Sequence, residues 1–209
     1  MPSVLIPYPV PKRLLDKAIA GTLLVVLAPV FAGVLVAMAV DMLLSPGDRD
    51  GFLFREPRVS RGRTFGLLKF RSLRADVLDR HRGHAGLAEH DAANLTWAGR
   101  TFLKPWYLDE LPQLLNVLRG EISLVGPRPW PPALVERQVA EGLDYRNRII
   151  AGLTGPAQVT KGSDRRYADL DLPYVNKSAT LGGWALVRYD LGILLQTIRV
   201  LARAEGLNY

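Results

Sequence analysis

The feature that most limits what this chain can fold into is a run of 23 uncharged residues, Ala18 to Val40. As an α-helix rising about 1.5 Å per residue it would be about 35 Å long, enough to span a bilayer's hydrocarbon core. Lys12, Arg13 and Lys17 precede it and Asp41 ends it. The run is too long for a signal-peptide core, and no small-residue cleavage site stands at its end. Pro29 is its midpoint, with 11 residues on either side. A mid-helix proline removes a backbone hydrogen bond and bends the helix. Each half is then about 16 Å long, roughly half the hydrocarbon thickness. Two topologies follow. A spanning helix with its basic flank inside puts everything after Asp41 outside the cytoplasm. A helix bent at Pro29 enters and leaves by the same face, provided neighbouring groups satisfy the backbone at the bend. Proline is common in spanning helices, so physics alone favours the first.

The rest of the chain is polar. With 209 residues, 48% of them hydrophobic, there is enough apolar material for one globular domain, and wholesale disorder is excluded. The 27 basic residues outweigh 20 acidic ones, a net charge of +7 that calls for an anionic partner: nucleic acid, anionic lipid or a phosphorylated substrate. No cysteine is present, which excludes a disulfide scaffold, a zinc–thiolate site and a cysteine nucleophile. Ser45-Pro46-Gly47-Asp48 reads as a turn. It divides the chain into an N-terminal membrane segment, 1–44, and a polar domain, 45–209. Phe52–Phe54 and Thr64–Phe70 read as strands of a hairpin around a basic turn, Arg58 to Arg63. Residues 74–100 read as a helix plus a loop, and their three histidines, His81, His84 and His90, match no metal-ligand spacing.

Leu108 to Gly120 carries the clearest helical pattern. Leu111, Leu114, Leu115 and Leu118 form one apolar face, Asp109 reads as the N-cap, Pro112 falls in the first turn, and Arg119-Gly120 is a stop. Asp109 and Glu110 are then expected at the positive end of the helix dipole, as simple caps, metal ligands or a nucleophile. In Ser123-Leu124-Val125-Gly126-Pro127-Arg128-Pro129, two prolines fix the backbone around one arginine, whose planar fork suits a phosphate or carboxylate. Gly152-Leu153-Thr154-Gly155-Pro156 reads as a rigid turn followed by a strand, Ala157 to Thr160. Trp184 to Arg203 reads as an amphipathic helix with Trp184, Val187, Leu191, Leu194, Ile198 and Leu201 on one side, suited to a core or a membrane surface. No dinucleotide fingerprint, Walker loop, Ser-His-Asp arrangement or nucleic-acid motif is legible.

Four blocks, in order, resemble the bacterial sugar transferase family of small monotopic phosphoglycosyltransferases: Lys12–Asp16 before the apolar run, Lys69–Leu73 (KFRSL), Leu108–Val117 (LDELPQLLNV) and Ser123–Pro129 (SLVGPRP). Gly152–Gly155, Ala157–Val159 and Leu170–Val175 match more weakly. The resemblance implies an enzyme that transfers a sugar-1-phosphate from a UDP-sugar to undecaprenyl phosphate, releasing UMP. It implies two steps through a phosphosugar on Asp109, with Glu110 and Mg²⁺ assisting, and Lys69, Arg71, Arg128 and Arg100 as phosphate binders. It also implies a re-entrant helix broken at Pro29, anionic lipid around it, and a catalytic domain at the cytoplasmic face of a bacterial inner membrane. The expected fold is α+β, mostly helical with short strands or hairpins and one N-terminal re-entrant helix-break-helix segment. A nucleic-acid partner is not expected, and the sugar, the pathway, the polyprenyl length and the oligomeric state are open. Three departures stand out. Ala28-Pro29 replaces the family's frequent Ser-Pro, Trp106-Tyr107 replaces Thr-Ser before Leu108-Asp109-Glu110, and Gly99-Arg100-Thr101-Phe102 is one residue longer than Gly-Arg-Phe. The alternatives are a single-pass membrane-anchored basic binding or scaffold protein, and a nucleotide-sugar hydrolase.

Overall fold

The computed structural model describes residues 4–80, 88–160 and 166–202. Helices dominate these residues, with two small two-stranded sheets among them. The uncharged run forms two helices. α1 (Val10–Val26) and α2 (Ala28–Leu44) meet at Leu27 with a bend of 58°. Pro29 lies in the first turn of α2. It has no N–H to give the Val25 carbonyl, and its ring crowds that carbonyl, which is why the axis turns here. Among the described residues no single helix is long and apolar enough to cross a membrane, although the bent pair together has the length and composition.

The chain divides into two compact units: Met1–Ala20, Arg58–Phe65 and Asn116–Tyr209 make one, Gly21–Pro57 and Gly66–Leu115 the other. In the first, the polar face of α1 is an anchor. Lys12 Nζ donates to Asp190 Oδ2 at 2.5 Å and to the Val125 carbonyl at 3.0 Å, while Asp16 accepts from the hydroxyls of Tyr8 at 2.6 Å and Ser123 at 2.7 Å. Both side chains are buried, so each needs such partners. Their target is the parallel pair of β3 (Ser123–Val125) and β4 (Gly152–Thr154), in which Ser123 pairs with Gly152 and Val125 with Thr154. A Cβ on Gly152 would lie 2.0 Å from the Gly126 nitrogen, so the backbones meet where no side chain fits.

Two sequence expectations change in this unit. Gly152–Thr154 is the strand, and Pro156–Val159 is a helical turn, because Pro156 stands where its missing N–H costs nothing. The C-terminal helix, Gly183–Ala202, buries Leu186, Val187, Asp190 and Ile193, leaving Trp184, Leu191, Leu195 and Ile198 exposed. Asp190 is held inward by Lys12 and by the Tyr174 hydroxyl at 2.9 Å, so the stripe read by hydrophobicity is split, with Val187 buried and Trp184, Leu191 and Ile198 exposed. Arg203 lies outside the described residues.

The second unit packs one face of α2 into a core. Val34 and Met38 join Phe70, Ala98 and Leu103, with Phe31, Met42, Phe102, Leu108 and Leu111 around them, and Asp41 Oδ2 accepts from the Ala98 N–H at 3.0 Å. A second cluster joins Leu73, Val77 and Ala88 to Phe54, Leu78 and Leu95. The expected hairpin is present but longer, β1 (Leu53–Ser60) and β2 (Arg63–Phe70). Its turn is only Arg61-Gly62, both with positive φ as a two-residue hairpin turn demands.

Candidate active site

The helix expected from Leu108 starts later, at Gln113, and runs only to Arg119. Leu108–Glu110 is a 3₁₀ turn, with Leu111 N–H donating to the Leu108 carbonyl at 3.2 Å. Pro112 is the cause: it cannot donate to the Leu108 carbonyl four residues back, so the chain tightens before the α-helix begins. Asp109 is therefore not the N-cap of the α-helix but the middle residue of the 3₁₀ turn, which Tyr107 precedes. The buried positions of the helical run are Gln113, Leu114, Asn116 and Val117, with Leu115 and Leu118 half-buried. Tyr107 has φ 53°, a left-handed conformation that costs a bulky residue about 1–3 kcal/mol. Just upstream, Gly99–Leu103 is a π turn closed by the Lys104 N–H on the Gly99 carbonyl at 3.0 Å. Only glycine fits at 99, since a Cβ there would lie 2.2 Å from the Ser72 carbonyl oxygen.

These two irregular turns bring Lys104 to Asp109. The Asp109 side chain is 3% exposed, and its Oδ2 lies 2.8 Å from Lys104 Nζ. Lys104 also pairs with Glu89 Oε2 at 2.6 Å. The other Glu89 oxygen is 3.6 Å from Lys69 Nζ, and Lys69 in turn lies 3.0 Å from Glu56 across the hairpin. A chain of alternating charge results, Glu56–Lys69–Glu89–Lys104–Asp109. Burial raises the Asp109 pKa above the usual carboxylate value; Lys104 opposes it, Glu110 adds to it and Lys69 opposes it more weakly. For Lys104, burial pulls the pKa down, but Asp109 and Glu89 more than offset this and hold the ammonium above its ordinary value. A carboxyl that burial pushes toward its neutral form and a neighbouring ammonium pulls back toward ionisation is a chemically poised group.

The other expected site residues are placed as follows. Glu110 is half-buried beside Asp109. Arg71, in the same unit, is 3% exposed at its side chain and tied inward. Its guanidinium donates to Asp48 Oδ1 at 2.8 Å, to the Asp48 carbonyl at 2.9 Å and to the Leu73 carbonyl at 3.1 Å. That geometry makes it a brace for the turn at Asp48. Arg100 is exposed on the π turn. Arg128 is exposed between two buried prolines in the first unit, and its backbone carbonyl accepts from Arg146. Arg146 is itself held by Asp171 at 2.8 Å and lies 4.0 Å over the Trp130 ring. His90 is exposed, and His81 and His84 lie outside the described residues.

Lys104, Glu89 and Glu56 were not legible as site residues. Lys104 precedes Asp109 by five residues, a spacing that separates two side chains on an α-helix, and only the π turn and Tyr107 bring them together. Among the described residues no three acidic or histidine side chains converge as a metal cage. Asp109 and Glu110 suit Mg²⁺ in its common mode, one or two carboxylates with water and phosphate oxygens filling the other positions.

The bacterial sugar transferase family model matches residues 8–204, and the chain belongs to that family. It is 37% identical to a UDP-glucose:undecaprenyl-phosphate glucose-1-phosphate transferase of Caulobacter vibrioides, over 93% of this chain and 71% of the relative. It is 34% identical to an undecaprenyl-phosphate glucose phosphotransferase of Komagataeibacter xylinus, over 90% of this chain and 35% of the relative. It is 35% identical to an undecaprenyl-phosphate galactose phosphotransferase of Salmonella typhimurium, over 76% of this chain and 35% of the relative. The chain thus spans about a third of the length of two of these relatives.

Proposed function

We propose that this protein transfers a sugar-1-phosphate from a UDP-sugar to undecaprenyl phosphate, releasing UMP, as the first membrane step of glycan assembly. The observation that carries the reading is the buried Asp109 carboxylate held 2.8 Å from Lys104, in a chain of the bacterial sugar transferase family. An Asp109 oxygen attacks the phosphorus that bears the sugar, the bridging P–O bond breaks, and UMP leaves with the bond's electrons. The phosphosugar then sits on Asp109 as an acyl phosphate. An oxygen of the lipid phosphate attacks the same phosphorus and frees the carboxylate. A carboxylate attacks an anionic diphosphate only where that charge is neutralised, and Lys104 and Lys69 supply two ammonium groups beside it. Mg²⁺, held by Asp109 and Glu110, would supply further neutralisation of the diphosphate. Arg128, presented by its buried prolines, is the guanidinium we assign to a phosphate.

The acceptor's chemistry requires a membrane, and the bent α1–α2 pair suits a re-entrant segment. Val25, Val26, Val36, Leu43 and Leu44 are all exposed apolar residues along it. Trp106, 74% exposed and three residues before Asp109, suits the headgroup level. Because nucleotide sugars are cytoplasmic, we place the catalytic residues on the cytoplasmic face of the bacterial inner membrane. The test is UMP release by the purified chain with Mg²⁺ and a panel of UDP-sugars, with and without polyprenyl phosphate. Release that depends on the lipid is expected. Equal release without it would indicate a hydrolase, and no release with any donor would overturn the reading.

A further inference from the structure

The charge chain leading to Asp109 contains an acid that the transfer reaction does not use. Glu89 lies within the stretch 74–100, which reads in the sequence as a helix plus a loop. Its two oxygens are shared between two lysines, 2.6 Å from Lys104 and 3.6 Å from Lys69. Those are the ammonium groups assigned above to the donor's diphosphate. Two oxygens of one anion on two cations is also how a phosphate would sit there. Of the three acids in the chain, Glu89 is the most open, with 21% of its side chain exposed against 9% for Glu56 and 3% for Asp109. Its two partners differ as well, Lys104 at 16% exposure and Lys69 at 8%, so the solvent side of the chain is at Glu89 and Lys104.

We infer that Glu89 is a displaceable internal anion, which bridges Lys69 and Lys104 in the empty enzyme and gives way to the donor's diphosphate. The inference rests on the transferase reading of the same site. The electrostatics require the exchange. Three carboxylates already face two ammonium groups, so a diphosphate arriving with Glu89 still in place would meet a net negative site. Displacing the most exposed acid removes that repulsion and leaves Glu56 as the fixed counter-ion of Lys69. Until then Glu89 satisfies two partly buried cations and keeps them spaced. Glu89 therefore sets how strongly an anion must bind to be accepted, and acts as a positioning residue rather than a catalytic one.

The experiment is equilibrium binding of UDP to the full chain in lipid nanodiscs, without divalent metal and then with Mg²⁺, for the unaltered protein, Glu89→Gln and Lys104→Ala. Glu89→Gln keeps the shape and removes the competing charge. It should bind UDP about three- to tenfold tighter without metal, the worth of two partly exposed ion pairs. The gain should shrink at high salt. Lys104→Ala should weaken UDP binding. If Glu89→Gln does not fold, as judged by its melting curve, Glu89→Asp replaces it. That variant keeps the charge but is too short to hold both lysines, and it too should tighten UDP. Unchanged or weaker binding overturns the inference, and so does a loss seen only with Mg²⁺, which would make Glu89 a metal ligand. If the unaltered chain binds UDP, and Lys104→Ala abolishes this without any gain from Glu89→Gln, the role of Glu89 falls and the transferase reading stands. If the unaltered chain binds no UDP at all, the transferase reading itself falls.

Discussion

Replacing Lys104 with alanine tests the electrostatics of the dyad. Asp109 and Lys104 meet at 2.8 Å with side-chain exposures of 3% and 16%. Removing one member of a wholly buried pair typically costs about 3–5 kcal/mol. Lys104 keeps some solvent and shares its charge with Glu89, so about 2–4 kcal/mol is expected here. The carboxylate has two responses. It can stay ionised and destabilise the fold, or take a proton and cease to be a nucleophile. Burial already raises its pKa and Lys104 is the largest opposing influence, so the variant's Asp109 titrates at higher pH than the native one. Attack needs the ionised form, so the acid limb of UMP release against pH should move upward. Activity at neutral pH should fall about a hundredfold or more, as when one preorganised charge is removed from a site. The sign for stability is opposite to that of an ordinary paired acid. A carboxyl whose folded pKa is raised contributes stability below its unfolded pKa and loses it as pH rises through the folded value. The melting-temperature deficit of Lys104→Ala should therefore be largest at neutral pH and shrink in acid. An acid limb that stays put or moves downward, with activity retained, would refute the reasoning.

Gly99→Ala places a Cβ 2.2 Å from a backbone carbonyl, so it should cost about 2–4 kcal/mol and lower the urea midpoint at little change in slope; a midpoint within error of the native one would show that the π turn adjusts freely. Lys12→Ala leaves Asp190 buried without the ammonium now 2.5 Å away, and should destabilise by about 3–5 kcal/mol in thermal melts while leaving UDP affinity unchanged in whatever fraction folds. Pro29→Leu restores a helical N–H at the 58° bend, and cysteine labelling at a position in the C-terminal helix should then report molecules facing the other side of the membrane; unchanged labelling would mean that packing of Val34 and Met38 holds the bend by itself.

Much of the framework can be read from patterns with local causes. Pro29 at the centre of the uncharged run places the break within two residues of Leu27, because a missing N–H acts where it stands. The hairpin follows from its apolar strands, although alternation could not show that Arg61-Gly62 alone makes the turn. What stayed illegible depends on contacts between distant residues. Lys12 reads as part of a basic membrane flank, yet it and Asp16 are buried anchors for β3, because the Ser123 hydroxyl, the Val125 carbonyl and Asp190 lie more than a hundred residues away in sequence. Asp190 in turn lies on the inward face of the last helix, so the apolar stripe divides, Val187 buried with it and Trp184, Leu191 and Ile198 left exposed. The same holds at the site. Asp109 and Glu110 are legible by motif, but their setting is not. Pro112 delays the helix to Gln113, and a π turn with a left-handed Tyr107 brings in Lys104 from a spacing that no regular element would pair. Arg71 shows the converse, a basic residue in a motif whose hydrogen bonds to Asp48, Gly51 and Leu73 occupy it inside the fold.

The central claim is that Asp109 takes the phosphosugar onto itself, and intact-mass analysis tests it most directly. Protein is incubated with the UDP-sugar that supports lipid-dependent UMP release, with the lipid withheld, then quenched in acid. The expected result is a mass increase equal to one sugar phosphate, mapped to the peptide containing Asp109, absent from Asp109→Asn and lost on adding polyprenyl phosphate. An enzyme that turns over rapidly with lipid present, yet shows no adduct under these conditions or carries it on another residue, would contradict the account.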